Sequence, residues 1–130
     1  MSKKAIQTTD APKAIGPYSQ AVRSGRLLFC SGQLGLGPDS GALVAGGARA
    51  EAEQALRNLE AVLTAAGASW AEVVKTTIYL TNLNDFDAVN AVYAEHVKAV
   101  APARATVQVA ALPKGAVVEI EAVAHLKRKS

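Results

Sequence analysis

At 130 residues the chain suits one domain, residues 1–130, and is long enough to bury roughly two-thirds of its unfolded surface. Half of the residues are apolar and only 5% are aromatic, which predicts tight packing of small side chains, and the single cysteine excludes an internal disulfide. The formal charge of +3 belongs to the ends: without Lys3, Lys4, Lys127, Arg128 and Lys129 the balance is −2, so a nucleic-acid-binding face is not expected. The N-terminus lacks the apolar stretch of a secretory signal and no apolar run reaches membrane-spanning length, so a soluble cytoplasmic protein with solvated tails is expected.

Lys4 to Thr8 is a short candidate strand. Asp10 to Ser19 carries Pro12, Gly16 and Pro17 and should be irregular. Within it Tyr18 is either a packed plug or a hydroxyl presented to a ligand; composition favours the plug. Gln20–Arg23 and Leu27–Ser31 read as a hairpin around Ser24, Gly25 and Arg26, with Ser31, Gly32 and Gln33 ending its second strand. Cys30 lies in an apolar run and reads as a buried structural thiol. Residues 32–47 are glycine-rich, but neither Gly-Lys-Ser/Thr nor the G-x-G-x-x-G spacing is present, which excludes those phosphate-binding loops, and Pro38–Gly41 is a turn.

Ala48 to Ala66 is the clearest helix, with Ala52, Ala55, Leu56, Leu59, Val62, Leu63 and Ala66 at helical spacing and Gly67 placed to stop it. Glu51, Glu53, Arg57 and Glu60 form its expected wet side. Val73–Leu80 is β-branched and reads as a strand. Asn82–Asp85 turns the chain and caps a second helix, whose stripe is Phe86, Val89, Tyr93 and Val97. Asn90 sits on the side of Phe86 and needs a partner, either a neighbouring loop or a ligand.

From Pro102 to Ala124 the chain alternates and reads as two strands joined at Leu112–Gly115. A hairpin with a four-residue turn pairs Ala110 with Val117, Gln108 with Glu119 and Arg104 with Val123. That register sets Arg104, Thr106, Gln108, Glu119 and Glu121 on one face, opposite the apolar set of Val118, Ile120, Ala122 and Ala124. The predicted order is β-β-β-α-β-α-β-β. Two helices cover only one face of such a sheet, and the mixed polar and apolar residues left on the other predict assembly, with the candidate site at the interface.

His96 and His125 lack the spacing of a metal site, and the sequence order suggests no nucleophile triad. Arg104 offers a planar fork for a carboxylate and Glu119 a proton-transfer group. Against this stands a plain ion pair on a sheet face, which the residues alone favour.

Ile15–Ala21, Ser31–Gln33, Val74–Thr77, Leu83–Phe86, Val89 with Asn90, and above all Pro102–Arg104 with Leu112, Pro113 and Val118–Ala122 resemble the RidA (YjgF) family, also labelled endoribonuclease L-PSP. The resemblance spans nearly the whole chain. It implies an α+β, chorismate-mutase-like fold, a mixed sheet with two helices on one face. It implies a homotrimer with active sites in the clefts between subunits. The implied reaction is hydrolysis of reactive enamines and imines such as 2-aminoacrylate and 2-iminobutanoate to a 2-keto acid and ammonia, downstream of pyridoxal-phosphate enzymes, with no cofactor or metal of its own. Carried over by position, Arg104 clamps the substrate carboxylate and Glu119 orients or deprotonates the attacking water. Tyr18, Ser31, the backbone of Gly32, Asn90 and Thr106 line the cleft. Thr106 stands where many members have cysteine, which excludes a thiol-dependent role. In the expected hairpin Arg104 and Glu119 are roughly 13 Å apart, so one substrate meets both only if they come from neighbouring subunits. Two other readings stay open: a metabolite-binding regulator using the same cleft, and an RNA-cleaving translation inhibitor, against which the near-neutral body argues.

Overall fold

A computed structural model describes residues 2–98 and 100–128; the tail cation Lys129 falls outside them. Strands β1 (Lys4–Ile6), β2 (Ala21–Ser24) and β3 (Leu27–Leu34) precede helix α1 (Gly47–Ala65). Strand β4 (Val73–Leu80), helix α2 (Phe86–His96), and strands β5 (Ala103–Gln108) and β6 (Val118–His125) follow, which is the predicted order. One six-stranded sheet runs β1-β2-β3-β6-β4-β5, with β4 and β5 parallel and the other neighbours antiparallel.

Local chemistry explains the helix that covers the sheet. Gly67, at φ 77°, stops α1 in the left-handed conformation that glycine adopts without strain; the Ala68 amide returns to the Leu63 carbonyl at 2.8 Å and the Gly67 amide to Thr64 at 2.9 Å. Ala52, Ala55, Leu56, Leu59, Val62 and Leu63 are buried against the sheet, and Val89, Val92 and Tyr93 of α2 join them. On the sheet side the core takes alternate residues: Leu28, Ile78, Leu80, Val118, Ile120, Ala122 and Ala124. Cys30 is buried there, and burial pushes its thiol up to about 12, as expected of a structural thiol.

Three expectations fail, each for a physical reason. β3 does not end at Ser31–Gln33. It continues to Leu34 through an irregularity between Cys30 and Gln33 in its pairing with β6, which turns Ser31 and Gly32 out of the ladder. Glu51 is not on the wet side of α1. It is buried, because the Val117 amide at the entry to β6 donates to its carboxylate at 2.8 Å.

The third failure matters most. β5 and β6 do not form a hairpin: β4 lies between them. β4, α2 and β5 form a parallel crossover unit. The chain then passes the end of β4, where the Val109 amide donates to the Leu80 carbonyl and the Thr81 amide to the Val117 carbonyl. Residues 109–117 make this passage in place of a four-residue turn, with Lys114 and Gly115 both at positive φ. Alternation defines the two faces of a strand, not its neighbour, and both β5 and β6 suit a place beside β4.

Candidate active site

The registers on either side of β4 decide which candidate residues meet. Arg104 is level with Thr76, Thr106 with Ile78 and Gln108 with Leu80. Thr76, Ile78 and Leu80 are buried under the helices. Arg104, Thr106 and Gln108 therefore belong to the helix-covered side, at its edge. Glu119 is level with Tyr79 and Glu121 with Thr77, on the open side. The expected single polar face thus divides in two, and no ion pair joins Arg104 to Glu119 among the described residues.

The first group surrounds the guanidinium. Arg104 donates from Nη1 to the Asn90 side-chain oxygen at 2.8 Å, and its guanidinium carbon lies 4.9 Å from the centre of the Tyr93 ring and 5.7 Å from that of Phe86. Tyr93 is itself fixed by a 2.7 Å bond between its hydroxyl and Thr76 Oγ1. Asn90 is exposed; its partner is neither a loop nor the core but the arginine fork. Thr106, two residues along on the same side, buries its Oγ1 with no partner among the described residues. Gln108 accepts the Leu83 amide at 2.9 Å and ties the approach to α2 against β5.

The second group surrounds a carboxyl. Burial, then the neighbouring Glu121 charge, raise the proton affinity of Glu119 above the ordinary carboxylate range. Gly32 lies against it: a Cβ there would come within 2.8 Å of the Glu119 carboxyl carbon. Ser31 donates its hydroxyl to the Ser19 carbonyl at 2.6 Å, and its amide to Gln20 at 2.9 Å, joining β3 to the irregular segment that carries Tyr18. Tyr18 is no plug. It is 54% exposed, and its hydroxyl accepts only a long 3.4 Å bond from the Ile15 amide. The segment holds its shape through buried Gln20, whose amide nitrogen donates to Pro12 at 2.8 Å and Thr8 at 3.1 Å while its oxygen accepts the Thr8 amide at 2.8 Å. Sequence reading missed Gln20; its only signal is a polar side chain beside a proline-rich segment full of unpaired carbonyls.

Residues 8–126 match the family described as endoribonuclease L-PSP. The chain belongs to that family. The human 2-iminobutanoate/2-iminopropanoate deaminase is 54% identical over 122 residues, covering 94% of this chain and 89% of the relative. Among solved structures, RidA from an Antarctic Psychrobacter matches at 48% identity with a TM-score of 0.92, covering 95% of this chain and 99% of that one. TdcF from E. coli with bound serine matches at 42% identity and a TM-score of 0.90, with the same coverage. The mixed sheet with two helices is thus the fold of the YjgF and L-PSP proteins.

In this L-PSP chain a concavity of about 870 Å³ lies under the 8–20 segment and is lined by Tyr18, Ser19, Ser40 and Lys114 among others. It borders the second group but contains neither Arg104 nor Glu119, so it is not by itself where the chemistry converges. Among the described residues no group of three or more His, Cys, Asp or Glu could hold a metal ion. His96 instead bonds Glu53 at 2.9 Å, fastening α2 to α1.

Proposed function

We propose that the protein hydrolyses reactive 2-imino acids, and the enamines in equilibrium with them, to 2-keto acids and ammonia. The observation that carries this reading is the Arg104 guanidinium, held by Asn90 and two aromatic rings yet free of any carboxylate among the described residues. A guanidinium fixed in this way keeps parallel N–H donors for the carboxylate of a small acid. The name of the human relative supplies the reaction class.

A 2-imino acid is already electrophilic, so positioning and proton transfer are the main requirements. Arg104 binds the carboxylate. Water adds to the imine carbon while Glu119 takes its proton. The same carboxyl then returns that proton to the nitrogen of the tetrahedral adduct; as the C–N bond breaks, the adduct's hydroxyl gives its proton back to the Glu119 carboxylate and becomes the keto oxygen, and ammonia and the keto acid leave. The raised proton affinity of Glu119 suits this two-way role. Tyr18, Ser31, the Gly32 backbone, Asn90 and Thr106 are assigned to the cleft wall.

Arg104 and Glu119 lie on opposite faces of one sheet, two strands apart and three residues out of step. At about 4.8 Å between strands and 3.3 Å per residue, their backbones are roughly 14 Å apart. One small substrate meets both only where a second copy contributes one of them. We therefore assign the working state as a homotrimer with composite clefts. The exposed Val107, level with Tyr79, and the exposed Phe29, level with Val123 further along β6, both lie on the open face and favour such association. The imines would come from pyridoxal-phosphate dehydratases in a cytoplasmic setting; no described helix is long and apolar enough to cross a membrane.

The test is a coupled assay. The protein, added to a serine or threonine dehydratase, should speed the decay of the imine and the appearance of ammonia, and sedimentation should show a trimer at micromolar concentration. An unchanged imine lifetime would overturn the catalytic reading. The serine bound to E. coli TdcF favours a second one, a binding protein for small amino or keto acids, which predicts ligand retention without turnover.

A further inference from the structure

Residues 8–19 carry Tyr18 but belong to no helix or strand. Among the described residues their backbone is hydrogen-bonded from outside at its two ends. At the far end Ser31 of β3 donates its hydroxyl to the Ser19 carbonyl at 2.6 Å. At the near end the bonds come from one side chain. Gln20, only 3% exposed, donates its amide nitrogen to the carbonyls of Pro12 at 2.8 Å, Thr8 at 3.1 Å and, at the limit of a bond, Ala11 at 3.4 Å. Its side-chain oxygen accepts the Thr8 amide at 2.8 Å. The Gln20 backbone carbonyl accepts the Ser31 amide at 2.9 Å. One residue is therefore bonded both to the start of the segment, 12 residues earlier in the chain, and to the strand at its end.

The chemistry of this clasp calls for an amide. Carbonyls need a donor and the Thr8 N–H needs an acceptor, and glutamine supplies both from one group. Between the two ends the segment is bonded only to itself, through the Tyr18 amide to the Gly16 carbonyl at 2.9 Å and the long bond from the Ile15 amide to the Tyr18 hydroxyl. Without the clasp, the carbonyls of Thr8 and Pro12 turn to water, and the segment opens locally while the sheet stays intact. What opens is the piece that presents Tyr18 and that Ser31 ties to the run ending in Gly32, against Glu119.

We propose that Gln20 is a positioning residue for the cleft: its buried amide holds segment 8–19 in the one conformation that places Tyr18 where substrate binds. The inference rests on the assignment of Tyr18, Ser31 and Gly32 to the cleft wall. It goes further by naming the group that makes this wall rigid before substrate arrives. Substrate that binds only the closed segment loses affinity in proportion to the closed fraction, so a segment closed about one-tenth of the time raises KM about tenfold and leaves kcat nearly unchanged.

The experiment compares full-length wild type, Gln20→Met and Gln20→Glu. Hydrogen exchange reads the segment, calorimetry reads the Kd for 2-oxobutanoate, the keto acid formed from 2-iminobutanoate, and the dehydratase-coupled assay reads kcat and KM. In Gln20→Met the amides of Thr8 and Tyr18 should lose protection while those of β6 keep theirs, and Kd and KM should rise together about tenfold with kcat within about twofold. Gln20→Glu should behave likewise at neutral pH, where a carboxylate has no proton to donate. At mildly acidic pH its carboxyl gains an O–H donor for the carbonyls, so its Kd relative to wild type should fall back towards one while that of Gln20→Met stays high. This pH-dependent rescue keeps the inference falsifiable should Gln20→Met not fold, and a loss of general stability does not produce it. A Kd equal to wild type in a folded variant whose segment has lost protection overturns the inference, as does a Gln20→Glu defect that acid does not relieve. Wild type that binds the keto acid, with the variants weakened as expected, but turns over no imine leaves the clasp standing and removes the deaminase reading. Wild type that neither binds nor turns over overturns both.

Discussion

Replacing Arg104 by lysine tests the clamp with the least disturbance to charge. The arginine makes a 2.8 Å bond to Asn90 and lies over the rings of Tyr93 and Phe86. A lysine in the same place keeps a cation near the rings but has no planar fork. It cannot hold Asn90 and also present two parallel donors to a carboxylate. A hydrogen bond to a charged group contributes about 1.5–3 kcal/mol. Losing one of the two substrate bonds, together with the alignment they enforce, should therefore cost about 2–3 kcal/mol at the transition state. That corresponds to a drop of about 30- to 150-fold in kcat/KM. Fold stability should change little, because Arg104 is partly exposed and the ring contacts survive: about 1 kcal/mol or less. The measurement is kcat/KM on imine generated in place by a dehydratase, with thermal unfolding of the same preparation. A variant within threefold of wild type, equally stable, would show that Arg104 does not bind substrate. A large loss of both activity and stability would show that its role is packing.

Gly32→Ala should reduce kcat/KM about 100-fold, since the new Cβ displaces the Glu119 carboxyl; the melting temperature should hold, because the displaced group is the end of a flexible side chain. Glu119→Gln should abolish turnover yet raise the melting temperature at pH 7 by more than at pH 4. The sign follows from the raised proton affinity of Glu119. The folded state binds that proton more tightly, so its contribution to stability falls as pH rises through the ordinary carboxylate range towards the folded value, and the ionised group is a cost at pH 7. Mixing inactive Arg104→Ala and Glu119→Ala proteins after dissociation and reassembly should restore about a quarter of the sites in an evenly mixed closed ring, read as ammonia release. Mixed trimers that stay dead, where wild type survives the same treatment, would refute the composite cleft.

Most of the fold was legible because it rests on local patterns. The alternation of β6, the β-branched run of β4 and the helical stripe of α1 with its glycine stop each lie within one element, and each matches the structure. What escaped was relational. Glu51 reads as solvent-facing on a helical wheel, and the wheel carries no sign that the Val117 amide, 66 residues away, lacks an acceptor. Tyr18 reads as a plug because tyrosine usually packs. That the loop is instead held by Gln20 depends on carbonyls of Thr8, Ala11 and Pro12 brought together only by folding.

The relation between Arg104 and Glu119 turns on a single residue of register. The hairpin expected from the sequence sets Arg104 level with Val123. In the structure Arg104 is level with Thr76, and Thr76 with Ala122. A one-residue step moves a side chain to the other face of a sheet. Here it takes Arg104 from the open side, where it would face Glu121 and Glu119, to the side where α2 supplies Asn90, Tyr93 and Phe86. On the open face the guanidinium would have found a carboxylate of its own chain and become an ion pair. Beneath α2 it is fixed by neutral groups and pairs with no carboxylate among the described residues. The same step removes the rigid hairpin distance as the reason for a shared cleft and replaces it with a stronger one. Two groups at different depths on one face could be bridged by a longer substrate, whereas one small substrate on a single protomer does not meet two groups on opposite faces of the sheet.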